Sequence, residues 1–159
     1  MKLYFVRHGK AQPGDGRMED HDRPLTPEGA ARLKTEADVL ARLGIMPNAI
    51  YSSPRVRARQ TAEIIARALD REVEIRDEVN FEFDVAAVAA LIAALPDDAE
   101  VMFVGHNPSM EEVVRRLTGA EVMMKVGSLA RVDVAAPKVD LNGTLIWLLA
   151  PRVFDGLGD

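Results

Sequence analysis

Hydrophobic spacing along this chain switches repeatedly between two periods, and that switching is the strongest limit on its fold. Leu3 to Val6 and Val101 to Val104 are short unbroken apolar runs, the pattern of strands covered on both faces. Elsewhere the apolar residues recur every three or four positions, as in Ala30, Leu33, Ala37 and Leu40, in Ala58, Ala62, Ile65 and Leu69, and in Met110, Val113, Val114 and Leu117. Each set forms one inward stripe of an amphipathic helix. Strands that must be hidden on both sides, alternating with helices that own one apolar face, predict an α/β domain with a largely parallel sheet.

Punctuation residues sharpen the layout. Thr26 offers an N-cap with Pro27 at the first helical position, and Gly44 stops the helix. Ser53 and Pro54 repeat the cap-then-proline signature, Asp84 can cap a helix with the stripe Val85, Val88, Ile92 and Leu95 ended by Pro96, and Asn107 precedes Pro108 before a helix that Gly119 ends. Ala49 to Tyr51, the pair Val73 and Ile75, residues 128–134 and Thr144 to Leu149 complete the expected strands. A chain of 159 residues is long enough for one full hydrophobic core. The expectation is a single domain over 1–159, with 152–159 as a frayed tail.

Composition removes several function classes. No apolar run approaches the ~20 residues that cross a bilayer, and the start MKLYFV lacks a long apolar segment with a cleavage site. A cytoplasmic location without membrane attachment follows as the default. With no cysteine there is no disulfide, thiolate nucleophile or cysteine-bound zinc. A formal charge of -5 argues against a nucleic-acid partner. Any anion site must therefore be local.

Three polar clusters occupy equivalent places in the layout. Arg7, His8 and Gly9 follow the first strand, Ser52 to Arg57 follow the second, and Gly105, His106 and Asn107 follow the strand at 101–104. In an open parallel sheet the carboxyl ends of strands share one edge, where ligands bind. Arg7, His8, Arg57 and His106 should therefore converge, placing donors and positive charge together in an acidic protein. Arginine forks match phosphoryl oxygens bidentately, and a neutral imidazole among them can serve as nucleophile by forming a phosphohistidine. This scheme needs no metal and no other cofactor. Singly, each residue has a plainer reading: His106 as a hydrogen-bonded structural histidine, Arg57 as a solvated helix charge like Arg55 and Arg59, and His21 as exposed and inert.

The segments VRHGKA, RPLTPEG, SSPRVRARQTA and VGHNPSM resemble, in order and spacing, the successive motifs of the histidine phosphatase superfamily, also called phosphoglycerate mutase-like. The resemblance covers nearly the whole chain. It implies a three-layer α/β/α sandwich, His8 as the phospho-accepting nucleophile, and Arg7, Arg57 and His106 as the phosphate pocket. Arg23, in DRPLT, resembles an arginine bordering that pocket in the small SixA-type phosphohistidine phosphatases, which the short length and the late NGTLIW strand also resemble. Many superfamily members protonate the leaving oxygen with a carboxyl group. Glu78 sits near the matching place, with Glu82 and Asp22 as rivals.

The leading expectation is hydrolysis through phospho-His8, with a phosphohistidine-bearing protein as substrate. A small phosphate ester suits an open, basic-floored cleft equally well on electrostatic grounds. A phosphate-binding module without turnover, and a metallohydrolase using His8, His21, His106 and an aspartate, are the other classes. Residues 10–24 form the one sizeable loop near the site, and nothing in the sequence speaks to oligomeric state.

Overall fold

Successive side chains of a strand point to opposite faces, so a strand apolar at every position needs cover on both. β1 (Lys2–Arg7) and β4 (Glu100–Gly105) receive it. The computed structural model describes residues 1–155. It adds α1 (Pro27–Arg42), β2 (Ala49–Ser52), α2 (Val56–Leu69), β3 (Val73–Ile75), α3 (Val85–Ile92), α4 (Ser109–Thr118), β5 (Leu129–Ala136) and β6 (Asp140–Leu149). Leu3, Phe5, Val101 and Phe103 pack with Val88 and Ile92 of α3 and Val113, Val114 and Leu117 of α4. Tyr4, Val6, Met102 and Val104 face the other way, onto Ala37 and Leu40 of α1 and Ala58, Ala62 and Ile65 of α2. The result is a three-layer α/β/α sandwich.

The sheet order is β3-β2-β4-β1-β5-β6. The first four strands pair in parallel, whereas β5 and β6 run antiparallel on the β1 side, making the sheet mixed. Register fixes the site. Arg7 lies opposite Gly105 across β1 and β4, and Ser52 lies opposite Val104 across β2 and β4. His8, Ser53 and His106 come next in the three chains, so they leave the sheet together at one edge. The His8 and Ser53 amides donate to the carbonyls of Gly105 and Val104, both at 3.0 Å, extending the ladder one residue past the strands.

Most punctuation holds. Thr26 Oγ1 accepts from the Gly29 amide at 2.9 Å, and Asp84 Oδ1 accepts from the Ala87 amide at 2.8 Å. Two expected caps differ. The N-cap of α2 is Arg55, because Ser53 is still engaged in the ladder and Pro54 lies outside the helix. The N-cap of α4 is Pro108, while the Asn107 amide group donates to Glu111 Oε1 and the Met124 carbonyl instead. α3 ends at Ile92, short of Leu95, and β6 begins at Asp140 because the hairpin with β5 extends its pairing. Within the stretch expected to fray, Pro151–Phe154 form a 3-10 turn with Phe154 only 2% exposed, and residues 156–159 lie outside the described residues. No helix among the described residues is long and apolar enough to cross a membrane.

Candidate active site

His8 sits one residue beyond β1, where the chain must turn against α1. A Cβ on Gly9 would approach Leu33 Cδ1 to 2.5 Å, so any larger residue here would have to displace the buried Leu33 side chain. The Gly9 amide donates to Thr61 Oγ1 at 3.1 Å, and the Thr61 hydroxyl donates to the Arg57 carbonyl at 2.7 Å. Thr61 is fully buried, so the turn carrying His8 and the helix carrying Arg57 are held as one unit.

Hydrogen bonds assign the ring of His8. Its Nδ1 lies 2.8 Å from the Gly9 carbonyl, which can only accept, so Nδ1 carries the proton and Nε2 the lone pair. Arg57 Nε donates to that Nε2 at 3.2 Å. Burial pushes the imidazole down to about 4; the Gly9 bond opposes the shift, and the charges of Arg57, Arg7 and Arg23 add to it. His8 is therefore neutral at pH 7, with its unprotonated nitrogen toward a cation.

His106 packs beside it, ring centroids 5.1 Å apart. Its Nε2 is 2.8 Å from Ser53 Oγ, an oxygen that already accepts from the Arg55 amide at 3.3 Å. If the hydroxyl donates to Nε2, the ring proton sits on Nδ1. That Nδ1 is buried without a hydrogen-bond partner among the described residues, as is Arg7 Nε, whose guanidinium otherwise donates through Nη1 to the Met124 carbonyl at 2.8 Å. Burial, followed by the proximity of His8 and Arg57, pushes His106 down to about 3. Arg7 Nε, and His106 Nδ1 in that tautomer, are unshared buried donors near neutral His8 and suit a phosphoryl group, whose oxygens accept hydrogen bonds.

All four convergent residues thus come together, and Arg23 joins them through an acid the sequence did not single out. Asp20, on a 3-10 turn at Asp20–Asp22, takes three arginines at once. Arg23 donates to Oδ1 from Nε and Nη2 at 2.9 and 2.6 Å, Arg55 Nη1 to Oδ2 at 2.6 Å, and Arg57 Nη2 to Oδ2 at 3.3 Å, while Arg57 Nη1 reaches the Asp20 carbonyl at 2.8 Å. Partial burial pushes its carboxyl up, but the bonds and charges of Arg23 and Arg57 more than offset this and hold it below the usual carboxylate range. Arg55 is likewise more than the solvated helix charge expected: its side chain is 18% exposed and its Nε donates to Asn80 Oδ1 at 3.0 Å. Loop 10–24 is tied at its base by the Gln12 amide on the Pro24 carbonyl and by Arg23 Nη1 on the Gln12 carbonyl, both at 2.8 Å.

The three carboxylates expected as acids are all exposed. Glu78 lies exposed on a 3-10 turn at Asp77–Val79 whose buried member is Val79, and Glu82 is also exposed. Asp22 pairs with His21 at 2.9 Å on the exposed side of its turn. Among the described residues no group of three or more histidine or carboxylate side chains is placed to share a metal ion. A cavity of about 270 Å³ borders Gly9 and Lys10 between Leu33, Glu36 and Pro151, and neither His8, Arg57 nor His106 lines it.

Three of the five N–H groups of Arg57 are spent on His8 and Asp20, so the aspartate competes with any phosphate that reaches Arg57. Asp20→Asn is expected to tighten binding of inorganic phosphate roughly tenfold, since exposed ion pairs of a few tenths to ~1 kcal/mol each no longer compete. Calorimetric titration measures this. Weaker binding in the variant would mean that Asp20 organises the arginines more than it competes for them.

Comparison with known proteins agrees with this geometry. The family model of the histidine phosphatase superfamily (branch 1) matches residues 3–85, through the first three motifs. An uncharacterized protein of Picosynechococcus sp. is 33% identical over 162 residues, covering 96% of this chain and 98% of the relative. Phosphohistidine phosphatase SixA of Escherichia coli is 28% identical over 157 residues, covering 95% and 94%. The structure of the protein histidine phosphatase SixA complexed with tungstate superposes with a TM-score of 0.85 at 27% identity, over 96% of this chain and 99% of that one. Both relatives extend across the fourth motif as well, and the chain belongs to the histidine phosphatase superfamily, branch 1, as a phosphatase of SixA type.

Proposed function

We propose that this protein is a protein phosphohistidine phosphatase that works through a covalent phosphohistidine on His8. The observation that carries the reading is the fixed tautomer of His8, with its proton held on the Gly9 carbonyl and its lone pair on Nε2 beside Arg57. The lone pair forms the new nitrogen-phosphorus bond as the bond from phosphorus to the substrate ring breaks, its electron pair passing to that ring nitrogen. His8 becomes positive, and the Gly9 carbonyl shares the proton that makes it so. Arg7, Arg57 and the Nδ1 proton of His106 hold the phosphoryl oxygens, with Arg23 at the border. Water then attacks phosphorus, the bond to His8 breaks with its electrons returning to Nε2, and the water's proton passes to solvent as phosphate leaves.

The chemistry of the leaving group supports a phosphohistidine over an alkyl ester. A phosphohistidine ring protonated on its second nitrogen departs as neutral imidazole and needs no acid, whereas an alkoxide needs a proton. The carboxylate hydrogen-bonded to Arg57 is Asp20, held ionised by its arginines. The similar SixA was solved with tungstate, an oxyanion of phosphate-like shape, and the E. coli relative bears the name phosphohistidine phosphatase. By this reading the partner is a phosphorylated protein met in the cytoplasm.

The test is turnover of a phosphohistidine protein, a sugar phosphate and an aryl phosphate side by side, with an alkaline denaturing quench to trap the enzyme. A phosphoenzyme that is acid-labile and alkali-stable, formed fastest from the phosphohistidine protein, is the expected result. Faster turnover of the sugar phosphate would make the protein a small-molecule phosphomonoesterase, and tight phosphate binding with no turnover would make it a binding module.

A further inference from the structure

One aromatic side chain stands at the site without a part in holding phosphate. Phe81 is 43% exposed although its neighbours at alternate positions, Val79 and Phe83, are 0% and 2% exposed. Its ring meets that of His106 at 4.8 Å between centroids with a 56° tilt, and His106 in turn touches His8. The Arg55 guanidinium carbon lies 4.1 Å from the Phe81 centroid, and Arg55 is itself fixed by Asn80 and Asp20. One face of Phe81 is therefore covered by an anchored cation, and its orientation is set.

Building on the reading above, we propose that Phe81, backed by Arg55, is the subsite that receives the leaving group, and that it selects a flat heteroaromatic ring, the imidazole of the substrate phosphohistidine. Burial gives the direction. His8, Arg57 and His106 are 9%, 3% and 1% exposed, so whatever remains attached to phosphorus must extend toward the open side of the site, where Phe81 lies. In-line displacement also places the leaving group on the far side of phosphorus from His8 Nε2. Aromatic rings gain from stacked or tilted contacts with other rings beyond the area they bury, and a protonated ring gains further from the electron-rich face. A leaving group without a ring gains neither.

The experiment compares the phosphohistidine peptide with acetyl phosphate, whose leaving group also departs without an acid but carries no ring. The ratio of kcat/KM for the peptide to that for acetyl phosphate is expected to fall about tenfold in Phe81→Ala and to recover in Phe81→Trp. A shift of His106 caused by losing the ring affects both substrates and cancels in the ratio. An unchanged ratio in Phe81→Ala, with the peptide still hydrolysed through a phosphoenzyme, overturns the subsite while leaving the function intact. Wild-type protein that forms no phosphoenzyme from the peptide overturns both.

Discussion

His8→Ala is expected to lower turnover of a phosphohistidine peptide by ~10,000-fold or more, the scale seen when a covalent nucleophile is removed, while the pocket still binds inorganic phosphate through Arg7, Arg57 and His106. No trapped adduct should form. Residual turnover near the wild-type level would show that water attacks the substrate directly. The wild-type pH profile adds a second signature. An ordinary histidine loses its lone pair as pH falls through about 6.5, but His8 is pushed down to about 4 by burial. Formation of the phosphoenzyme should therefore stay level down to about pH 5 and fall only below it. Stability moves with the same displaced protons. Between about pH 4 and 6.5 the unfolded chain binds a proton at residue 8 that the folded chain refuses, so stability falls as pH falls through that window. On acidification from pH 7 to 5 the wild type should lose roughly 2 kcal/mol more than His8→Ala does, as read by denaturant unfolding at the two pH values.

The sequence made the sheet and its catalytic edge legible for a definite reason. Continuous apolar runs require cover on both faces, so β1 and β4 had to be central, and residues just after central parallel strands share an edge whatever their distance along the chain. His8 and His106 follow from that rule alone. Asp20 and Arg55 do not. Arg55 reads as a helix-surface charge if α2 starts at Pro54. The ladder bond of the Ser53 amide holds the chain extended past that point, and the later start turns Arg55 inward onto Asn80 and Asp20. Asp20 depends on where a short turn lands inside a loop rich in acidic residues, and no spacing rule separates it from Glu19 or Asp22. Glu78 depends on a short turn in the same way: the three-residue turn buries Val79 and leaves the Glu78 carboxyl exposed.

Arg57 carries the second large effect, because in the proposed reaction its guanidinium meets both His8 and the group to be transferred. The side chain is 3% exposed, and its Nε points at His8 Nε2. Arg57→Ala is expected to lower kcat/KM about 1,000-fold, the upper scale for losing one preorganised donor at a transition state, equivalent to ~4 kcal/mol. Arg57→Lys should recover only part of this, since an ammonium supplies the charge without the planar fork that spans two oxygens. A separate consequence concerns protons. The charge of Arg57 is one of the causes that hold His8 down, after burial itself. Removing it should move the acid limb of phosphoenzyme formation upward from about 4, although not as far as 6.5 because the burial remains. Single-turnover rates across pH 3.5 to 7 in Arg57→Ala and Arg57→Lys measure both effects. A rate loss below tenfold in Arg57→Ala would place the transferring phosphoryl away from this guanidinium. An unmoved acid limb would mean that His8 owes its neutrality to burial alone.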